Sequence, residues 1–326
     1  MKIALLTKTR PDLQQRIAAL DNGIEHVFLE ADINGVWSEE ALAQVDNADA
    51  FLVGLEPVNE QIAARAPKLK IVQRMGVGYE TLDLEACAKR GVPCCNIEGV
   101  NKEAVSEHGM MLIMMLAKNL LQADELMHTD EGWGKARLVS DNSMELAGKT
   151  IGIVGLGNTG GQLARKARGF GMKVLYNDLK EADPKIVEQT GARAVEKDEL
   201  FRTADIISIN VDLNETSRQM VTAEVLKTLK PNTFLVCCAR GGIIDEQALA
   251  DALNEGRLAG AGIDVFEQEP FEKDNPLLNA RNCIVTAHVA GSAVESAARN
   301  WDWAYENILR VIQNGEKPKW VRNGVT

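Results

Sequence analysis

With 326 residues, the chain is long enough for two domains, each with its own hydrophobic core. Its 45% hydrophobic and 25% charged residues are typical of a globular protein. The formal net charge of −11 argues against nucleic acid as a partner, because phosphate backbones require a basic protein face. The longest apolar run, around residues 110–117, falls short of the roughly 20 residues that span a bilayer, so we expect no membrane partner.

The six cysteines include two adjacent pairs, Cys94/Cys95 and Cys237/Cys238, which lie in or beside strand-like runs. None has the CxxC spacing of a metal site, and neighbouring cysteines in buried strands usually act as small core hydrophobes. We therefore expect no metal, and the composition fits a reducing cytoplasm.

The first hundred residues alternate short apolar runs with helical patterns, which predicts a parallel sheet with helices on both faces. The predicted helices lie at about residues 12–20, 39–44, 60–66 and 82–89.

A long helical pattern then covers residues 101–131 and contains the apolar run GMMLIMML, which we expect to be buried between domains or subunits. A second, more regular series of about six strands begins after Gly148 and predicts a doubly wound sheet. The last helical pattern, residues 291–314, is expected to return to the first domain. The prediction is an α/β protein with two Rossmann-like or flavodoxin-like domains. Residues 1–100 plus 291–326 are expected to form one discontinuous domain, and residues 101–290 are expected to form the other.

Residues 150–178 read as a strand, a glycine-rich turn, a helix and a second strand that ends in an acid. Gly155 permits a tight turn, Gly157 lets the backbone approach a pyrophosphate, and Gly160 lets the helix lie close to the sheet. The free N–H groups of that helix favour the negative charge of a pyrophosphate. Asp178 stands where an acid accepts hydrogen bonds from an adenosine ribose, and it would repel the 2′-phosphate of NADP. The pattern predicts a dinucleotide site that prefers NAD. Residues 101–290 are therefore expected to be the NAD-binding domain, and residues 1–100 plus 291–326 the substrate domain.

Three ionisable residues lie at the ends of later predicted strands, where ligands of open α/β sheets bind. Arg240 can bind a carboxylate through its two-pronged guanidinium. Glu269 and His288 make sense as a pair, because a carboxylate fixes the tautomer of an imidazole and stabilises its charged form. Reduction of a 2-oxo acid by NADH needs such a proton donor. His108 is interpreted as structural, and His26 and His128 as surface residues.

Several motifs, in order along nearly the whole chain, resemble the D-isomer-specific 2-hydroxyacid dehydrogenase family: RMGVGYETLDL, NKEAVSEHGMMLIMML, ARGGIIDEQAL, GIDVFEQEP and AHVAG. The resemblance implies catalytic roles for Arg240, Glu269 and His288. It implies cofactor contacts from Gly155, Gly157, Asn158, Thr159, Gly160, Asp178, Asn210, Val211, Cys238, Ala239, Asp264 and Gly291. It implies substrate contacts from Leu55, Val77, Gly78 and Arg240. It also implies a homodimer built from the NAD-binding domains.

The substrate is expected to be small or neutral-tailed, such as glyoxylate, hydroxypyruvate or pyruvate. The predicted substrate loop, residues 55–59, reads LEPVN and offers no cation for a phosphate, so phosphoglycerate is disfavoured. Formate dehydrogenase activity is disfavoured as well, because that branch of the family carries Gln at the position of Glu269. The alternative function is an NADH-sensing interaction protein that resembles transcriptional corepressors of the same fold.

Overall fold

The computed structural model describes residues 1–8, 11–20, 22–32 and 34–325. They fall into two compact units. Unit 1 comprises Met1–Val100 and Ala293–Thr326, and unit 2 comprises Asn101–Ser292. Both units are parallel-sheet α/β folds, as the sequence predicts. No helix in the described part of the chain is long and apolar enough to cross a membrane.

Unit 1 contains a five-stranded parallel sheet in the order β2-β1-β3-β4-β5. This order is the flavodoxin-like form of the doubly wound fold. The strands are β1 (Lys2–Leu6), β2 (Glu25–Leu29), β3 (Ala50–Val53), β4 (Ile71–Arg74) and β5 (Cys94–Cys95). The helices are α1 (Pro11–Ala18), α2 (Glu39–Val45), α3 (Glu60–Ala64), α4 (Leu84–Lys89) and, at the other end of the chain, α13 (Val294–Ile312).

The sheet of unit 1 is buried on both faces, which explains why its strands read as continuous apolar runs. Helices α2, α3 and α4 cover one face through a cluster that includes Leu42 and Ile62. Helix α13 covers the other face with Trp301 and Ile308, which pack against the strand residue Leu5. The C-terminal helix therefore completes the core of the first hundred residues.

Unit 2 contains seven parallel strands in the order β12-β11-β10-β9-β6-β7-β8, one strand more than the sequence predicts. The added strand, β8, has only two residues. The strands are β6 (Thr150–Val154), β7 (Lys173–Asn177), β8 (Arg193–Ala194), β9 (Ile206–Ile209), β10 (Phe234–Cys237), β11 (Gly260–Ile263) and β12 (Cys283–Val285). The helices are α5 (Lys102–Ala117), α6 (Leu120–Met127), α7 (Gly132–Ser140), α8 (Asn158–Gly169), α9 (Pro184–Thr190), α10 (Lys197–Thr203), α11 (Ala223–Leu226) and α12 (Glu246–Asn254), with a 3₁₀ turn at Pro276–Asn279.

The prediction of one helix over residues 101–131 is wrong. Helix α5 ends at Ala117, and Asn119 adopts a left-handed φ of +50° before α6 begins. Asparagine tolerates this conformation better than most residues, so the chain turns there without a glycine. The methionine run is also only partly buried. Met110 is in the core, whereas Met111 and Met114 are about 40% exposed.

Candidate active site

The residues predicted to bind the cofactor follow the carboxyl ends of the strands of unit 2. Because the strands are parallel, these ends share one edge of the sheet, where open α/β folds bind ligands. The strand order reverses between β6 and β9, and the glycine loop that follows β6 opens at this switch point. The glycine motif therefore lies at the switch point, where open α/β folds bind nucleotides.

The backbone is open to a ligand at Gly157. At Gly155 and Gly160 neighbouring atoms leave no room even for a Cβ atom. A Cβ atom on Gly160 would lie 1.9 Å from the carbonyl oxygen of Gly155, and one on Gly155 would lie 2.6 Å from the carbonyl oxygen of Asn210. A Cβ on Gly157 would meet nothing within 4 Å. Gly157 is also the N-cap of α8, and no side chain caps this helix end. Uncapped N–H groups beside an open backbone fit the pyrophosphate of NAD.

Asp178 follows β7, and its carboxylate is tied to the glycine loop. Its Oδ2 accepts a hydrogen bond from the N–H of Leu156 at 2.8 Å, and its Oδ1 accepts one from the N–H of Lys180 at 2.9 Å. Each carboxylate oxygen has a further lone pair for a ribose hydroxyl. Asp178 thus connects the loop predicted to bind the pyrophosphate with the position predicted for the ribose.

Asn210 and Val211 follow β9 and contribute differently to this edge. The Asn210 amide group donates to the side-chain oxygen of Ser208 at 3.0 Å, so it folds back onto its own strand. The Val211 side chain lies against Gly155, where an added Cβ atom would come within 2.7 Å of it. Their contacts with a cofactor stay predictions.

His288 and Glu269 form the most direct pair at this edge. The Nδ1 atom of His288 lies 2.6 Å from Oε2 of Glu269, and the other oxygen of Glu269 accepts the N–H of Phe266 at 2.9 Å. A carboxylate only accepts hydrogen bonds, so the Nδ1 atom carries the proton and donates it. The His288 side chain is 46% exposed, which leaves its Nε2 atom as the end available to a reactant.

The backbone at His288 is held in an uncommon conformation by Asp264. The φ angle of His288 is +52°, a left-handed value that is costly for a non-glycine residue. Its N–H donates to the Asp264 carbonyl at 2.7 Å, while the N–H groups of Val289 and Ala290 donate to the two oxygens of the Asp264 carboxylate at 2.9 and 2.8 Å. Asp264 is fully buried. It therefore fixes the loop that carries His288, and its predicted contact with the cofactor stays a prediction.

Two further residues of this network were not singled out as functional by the sequence. The Thr286 hydroxyl donates to Oδ1 of Asp264 at 2.5 Å, and Nε2 of His108 on α5 lies 3.0 Å from the same hydroxyl. His108 thus connects helix α5 to the His288 loop. Thr286 lies two residues before His288, and that spacing is the only local signal that could have found it.

Arg240 follows β10 in the turn CCARGG, close to the segment that carries Glu269. A Cβ atom on Gly241 would lie 1.7 Å from the carbonyl oxygen of Phe266, so only glycine lets these two backbones touch. One guanidinium nitrogen of Arg240 donates to the Ala239 carbonyl at 2.8 Å. Burial raises the pKa of the neighbouring Cys237 thiol to about 11, which keeps it neutral and unreactive. Cys238 is partly buried beside it.

The last predicted cofactor residue, Gly291, ends the His288 loop. A Cβ atom there would lie 2.7 Å from the side-chain amide nitrogen of Asn101, the residue before α5. A side chain at this position would therefore displace the Asn101 side chain.

The predicted substrate residues lie at the carboxyl edge of the unit 1 sheet. Leu55 follows β3 and is 78% exposed, and Val77 and Gly78 follow β4. The interpretation of His26 as a surface residue holds only in part, because His26 is half-buried. Its Nε2 atom lies 2.9 Å from the hydroxyl of Tyr305 on α13, and burial lowers its pKa. His128 is exposed, as expected.

Known proteins resemble this chain over most of its length. Residues 110–290 match the family model described as D-isomer specific 2-hydroxyacid dehydrogenase, NAD binding domain. A glyoxylate reductase of Korarchaeum cryptofilum is 34% identical over 87% of this chain and 87% of its own length. This chain belongs to the D-isomer-specific 2-hydroxyacid dehydrogenase family. It is therefore an oxidoreductase with an NAD-binding domain, and the expected cofactor is confirmed.

Two other relatives show the breadth of this family. A D-3-phosphoglycerate dehydrogenase of Methanocaldococcus jannaschii is 35% identical over 86% of this chain but only 52% of its own length. The crystal structure of the apo form of D-mandelate dehydrogenase from Rhodotorula graminis superposes with a TM-score of 0.88 at 26% identity, over 98% of this chain and 97% of that one. The predicted fold class is confirmed. The named substrates differ among these relatives.

Proposed function

We propose that this protein interconverts a small D-2-hydroxy acid and its 2-oxo acid, with His288 as the acid/base group and Arg240 as the carboxylate-binding group. The observation that carries the proposal is the 2.6 Å hydrogen bond between His288 and Glu269, at the same sheet edge as the glycine loop. Bound NADH supplies the hydride for the reduction.

The pair explains how one residue serves both directions of the reaction. In reduction, the imidazolium of His288 donates the proton on Nε2 to the carbonyl oxygen of the oxo acid, which becomes the hydroxyl group of the product. Glu269 balances the positive charge of the imidazolium before the transfer and keeps Nδ1 as the donor to its carboxylate. In oxidation, neutral His288 accepts the hydroxyl proton through Nε2.

Arg240 binds and polarises the reactant. Its guanidinium can hold a carboxylate through two parallel hydrogen bonds, and its positive charge favours the negative charge that develops on the carbonyl oxygen during reduction. Lysine would supply the charge without this planar geometry. Arg240 therefore serves both substrate affinity and the chemical step.

The substrate side chain is proposed to be small and without a phosphate, as in glyoxylate, hydroxypyruvate or pyruvate. The support is the loop after β3, in which the exposed Leu55 is followed by Glu56, Pro57, Val58 and Asn59 with no cation. Glu56 gives this loop a negative charge, and its carboxylate accepts a hydrogen bond from the N–H of Ala31 at 3.1 Å. A phosphorylated acid is expected to bind poorly at such a loop.

The protein is further proposed to be a cytoplasmic homodimer that pairs through its NAD-binding domains. All six cysteines are free thiols, which fits a reducing compartment. Helix α6 has the sequence LLQADELM but buries no residue, and Trp133 and Leu138 of α7 are about 70% exposed. A second copy of the chain would remove this apolar surface from water.

A panel of 2-oxo acids assayed with NADH and NADPH tests the proposed function. We expect NADH oxidation with at least one small 2-oxo acid, and weaker turnover with NADPH because Asp178 repels a 2′-phosphate. His288→Ala is expected to lower kcat by about 10²- to 10⁴-fold, the usual contribution of a positioned proton donor. Arg240→Ala is expected to raise KM and lower kcat together.

His128→Ala is the matched control, because the His128 side chain is 78% exposed and lies 3.8 Å from the Asp124 carboxylate of α6. It should behave like the unmodified enzyme. Binding of NADH without turnover of any acid in the panel would refute the enzymatic proposal and favour the corepressor-like alternative.

A further inference from the structure

Two neighbouring peptide groups of the loop after β4 are held with their N–H groups on one side. The Ile97 N–H donates to the Gly76 carbonyl at 2.9 Å, and the side-chain amide of Asn96 donates to the Val77 carbonyl at 2.6 Å. In a trans peptide the N–H points away from the C=O, so the N–H groups of Val77 and Gly78 face the opposite direction. Neither donates to any residue that the structure describes. Adjacent free N–H groups form a concavity that suits a carboxylate.

The orientation of Asn96 decides whether this arrangement persists. An asparagine side chain has a donor end and an acceptor end, and only the donor end can bond the Val77 carbonyl. Asn96 is 1% exposed, so water cannot bond the Val77 carbonyl if the asparagine side chain turns its oxygen toward it. The Nε atom of Arg322 donates to the Asn96 Oδ1 at 2.8 Å. Since a guanidinium only donates, Arg322 turns the oxygen of Asn96 toward itself and the NH₂ group toward Val77.

Arg322 is itself fixed by the C-terminal segment, which lies along the edge strand β5. Its N–H donates to the Cys94 carbonyl at 2.8 Å, and Val321 forms an antiparallel bridge with Cys95. Its guanidinium also pairs with the Glu98 carboxylate and lies over the ring of Tyr79, 5.5 Å from the centroid. The segment therefore contacts the loop of residues 76–79 at two places. Arg322 bonds Asn96, which bonds the Val77 carbonyl, and Arg322 also lies over the Tyr79 ring.

We propose that Arg322 is a positioning residue for substrate binding, which acts through Asn96 to present the N–H groups of Val77 and Gly78 to the substrate carboxylate. This inference rests on the proposed function, because it takes those two N–H groups as part of the substrate site. It assigns a role in substrate affinity to a side chain more than two hundred residues away in sequence. Arg322 is assigned no part in the chemical step.

Steady-state kinetics of Arg322→Ala with glyoxylate and NADH provide the first test. We expect KM for glyoxylate to rise about tenfold, equivalent to about 1.4 kcal/mol, while kcat and KM for NADH change by less than about twofold. Arg310→Ala is the matched control. It breaks a similar ion pair between α13 and the C-terminal segment, the 2.6 Å contact with Glu316, and leaves Asn96 untouched. Its KM for glyoxylate should stay at the unmodified value.

A double-mutant cycle tests the route through Asn96. Asn96→Asp keeps an acceptor for Arg322 but removes the donor to Val77, so it should raise KM for glyoxylate as well. If Arg322 acts through Asn96, the double variant should be no worse than the more damaged single variant. Full additivity of the two effects would overturn the proposed route.

Hydrogen exchange of the free protein separates this inference from the proposed function. Amide exchange over residues 75–80 should become faster in Arg322→Ala and stay unchanged in Arg310→Ala. An unaltered KM together with unaltered exchange in Arg322→Ala would overturn the inference while the enzyme remains a dehydrogenase. Failure of the unmodified protein to reduce any 2-oxo acid would instead remove the proposed function, and the exchange result would still decide whether Arg322 orders the loop.

Discussion

His288 has a left-handed backbone, and three hydrogen bonds from its loop to Asp264 hold it there. A conformation of this kind costs of the order of 1–3 kcal/mol and persists only when the surroundings enforce it. The Asp264 carboxylate accepts two of these bonds, is buried, and accepts a third bond from the Thr286 hydroxyl. The proposed proton donor is thus positioned by a buried carboxylate residue that accepts hydrogen bonds from the backbone of its loop.

Removal of the Thr286 hydroxyl should reveal how far this network supports activity. Thr286→Val keeps the shape of the side chain but removes the donor to Asp264 and the partner of His108. We expect kcat for oxo-acid reduction to fall about tenfold, because a lost hydrogen bond of roughly 1–2 kcal/mol loosens the loop that aims His288. KM for NADH should change little. Stopped-flow or steady-state assays with the best acid of the panel would measure both.

Thr233→Val is a suitable control for this prediction. Thr233 is fully buried and donates to the Ala204 carbonyl at 3.3 Å, away from the His288 loop. Both variants should lose similar thermal stability, but only Thr286→Val should lose activity. Equal kcat values in the two variants would show that the Thr286 hydroxyl has no part in positioning.

At the scale of elements, the glycine loop and α8 give a prediction that separates folding from cofactor binding. Gly160→Ala places a methyl group 1.9 Å from the Gly155 carbonyl oxygen, so α8 must move away from the sheet. We expect a lower Tm and loss of NADH binding. Gly157→Ala meets no protein atom within 4 Å and should keep the Tm, but its methyl group enters the space predicted for the pyrophosphate. Its Kd for NADH should rise at least about tenfold.

Gly169→Ala completes this comparison, because it lies at the far end of α8 and meets nothing within 4 Å. It should leave both the Tm and the Kd for NADH unchanged. Scanning calorimetry and fluorescence titration with NADH measure the two quantities. Unweakened NADH binding by Gly157→Ala would contradict the placement of the pyrophosphate at this loop.

Asp205, which directly precedes β9, accepts hydrogen bonds from the start of β6 and from Lys230, and these bonds depend on pH. Asp205 accepts the N–H of Thr150 at 2.9 Å and the ammonium group of Lys230 at 2.8 Å. Partial burial opposes ionisation, but these bonds outweigh it and lower the pKa of Asp205 below its ordinary value of 3.8. A lowered pKa stabilises the fold above the unfolded-state pKa, and the contribution disappears as the pH falls through the folded-state value.

Asp205→Asn is therefore expected to lower the free energy of unfolding by about 1–3 kcal/mol at pH 7. The difference from the unmodified protein should shrink as the pH falls below 3.8, because the unfolded chain then binds the proton more readily than the folded chain does. It should be lost once the pH passes below the lowered pKa of the folded state. Urea denaturation at a series of pH values measures this trend. The exposed Asp274→Asn provides the control with no expected effect, and a constant difference down to pH 2 would argue against the carboxylate as its source.

The sequence pattern predicted those helices and strands whose residues have a clear apolar period. The apolar runs located the strands, because both faces of each parallel sheet are covered. The pattern failed at Asn119, where apolar residues continue on both sides of a left-handed turn and mask the break between α5 and α6. It also missed the pairing of Val321 with Cys95. Such a short segment becomes a sheet partner only because β5 offers a free edge.

At the scale of the whole molecule, the sequence located the candidate site through strand ends, since parallel topology gathers them on one edge of each sheet. It paired His288 with Glu269 by chemical reasoning. It could not find the bond from Arg322 to Asn96, because those partners are 226 positions apart and neither has a distinctive motif. Contacts of this kind depend on where the C-terminal segment returns, which local pattern does not specify.

The exposed apolar surface of α6 and α7 leads to the last prediction, which concerns assembly. Trp133 is 71% exposed and Leu138 69% exposed, on neighbouring turns of α7. If a second copy covers this surface, the unmodified protein should have about twice the 35.6 kDa mass of one chain in light scattering. Replacement of both residues by Glu would bury charges at the interface, which costs several kcal/mol per unpaired ion and should give monomers. Leu179→Glu, at an 83% exposed site of the same unit but outside α6 and α7, should leave the mass unchanged. A monomeric unmodified protein would refute the proposed homodimer.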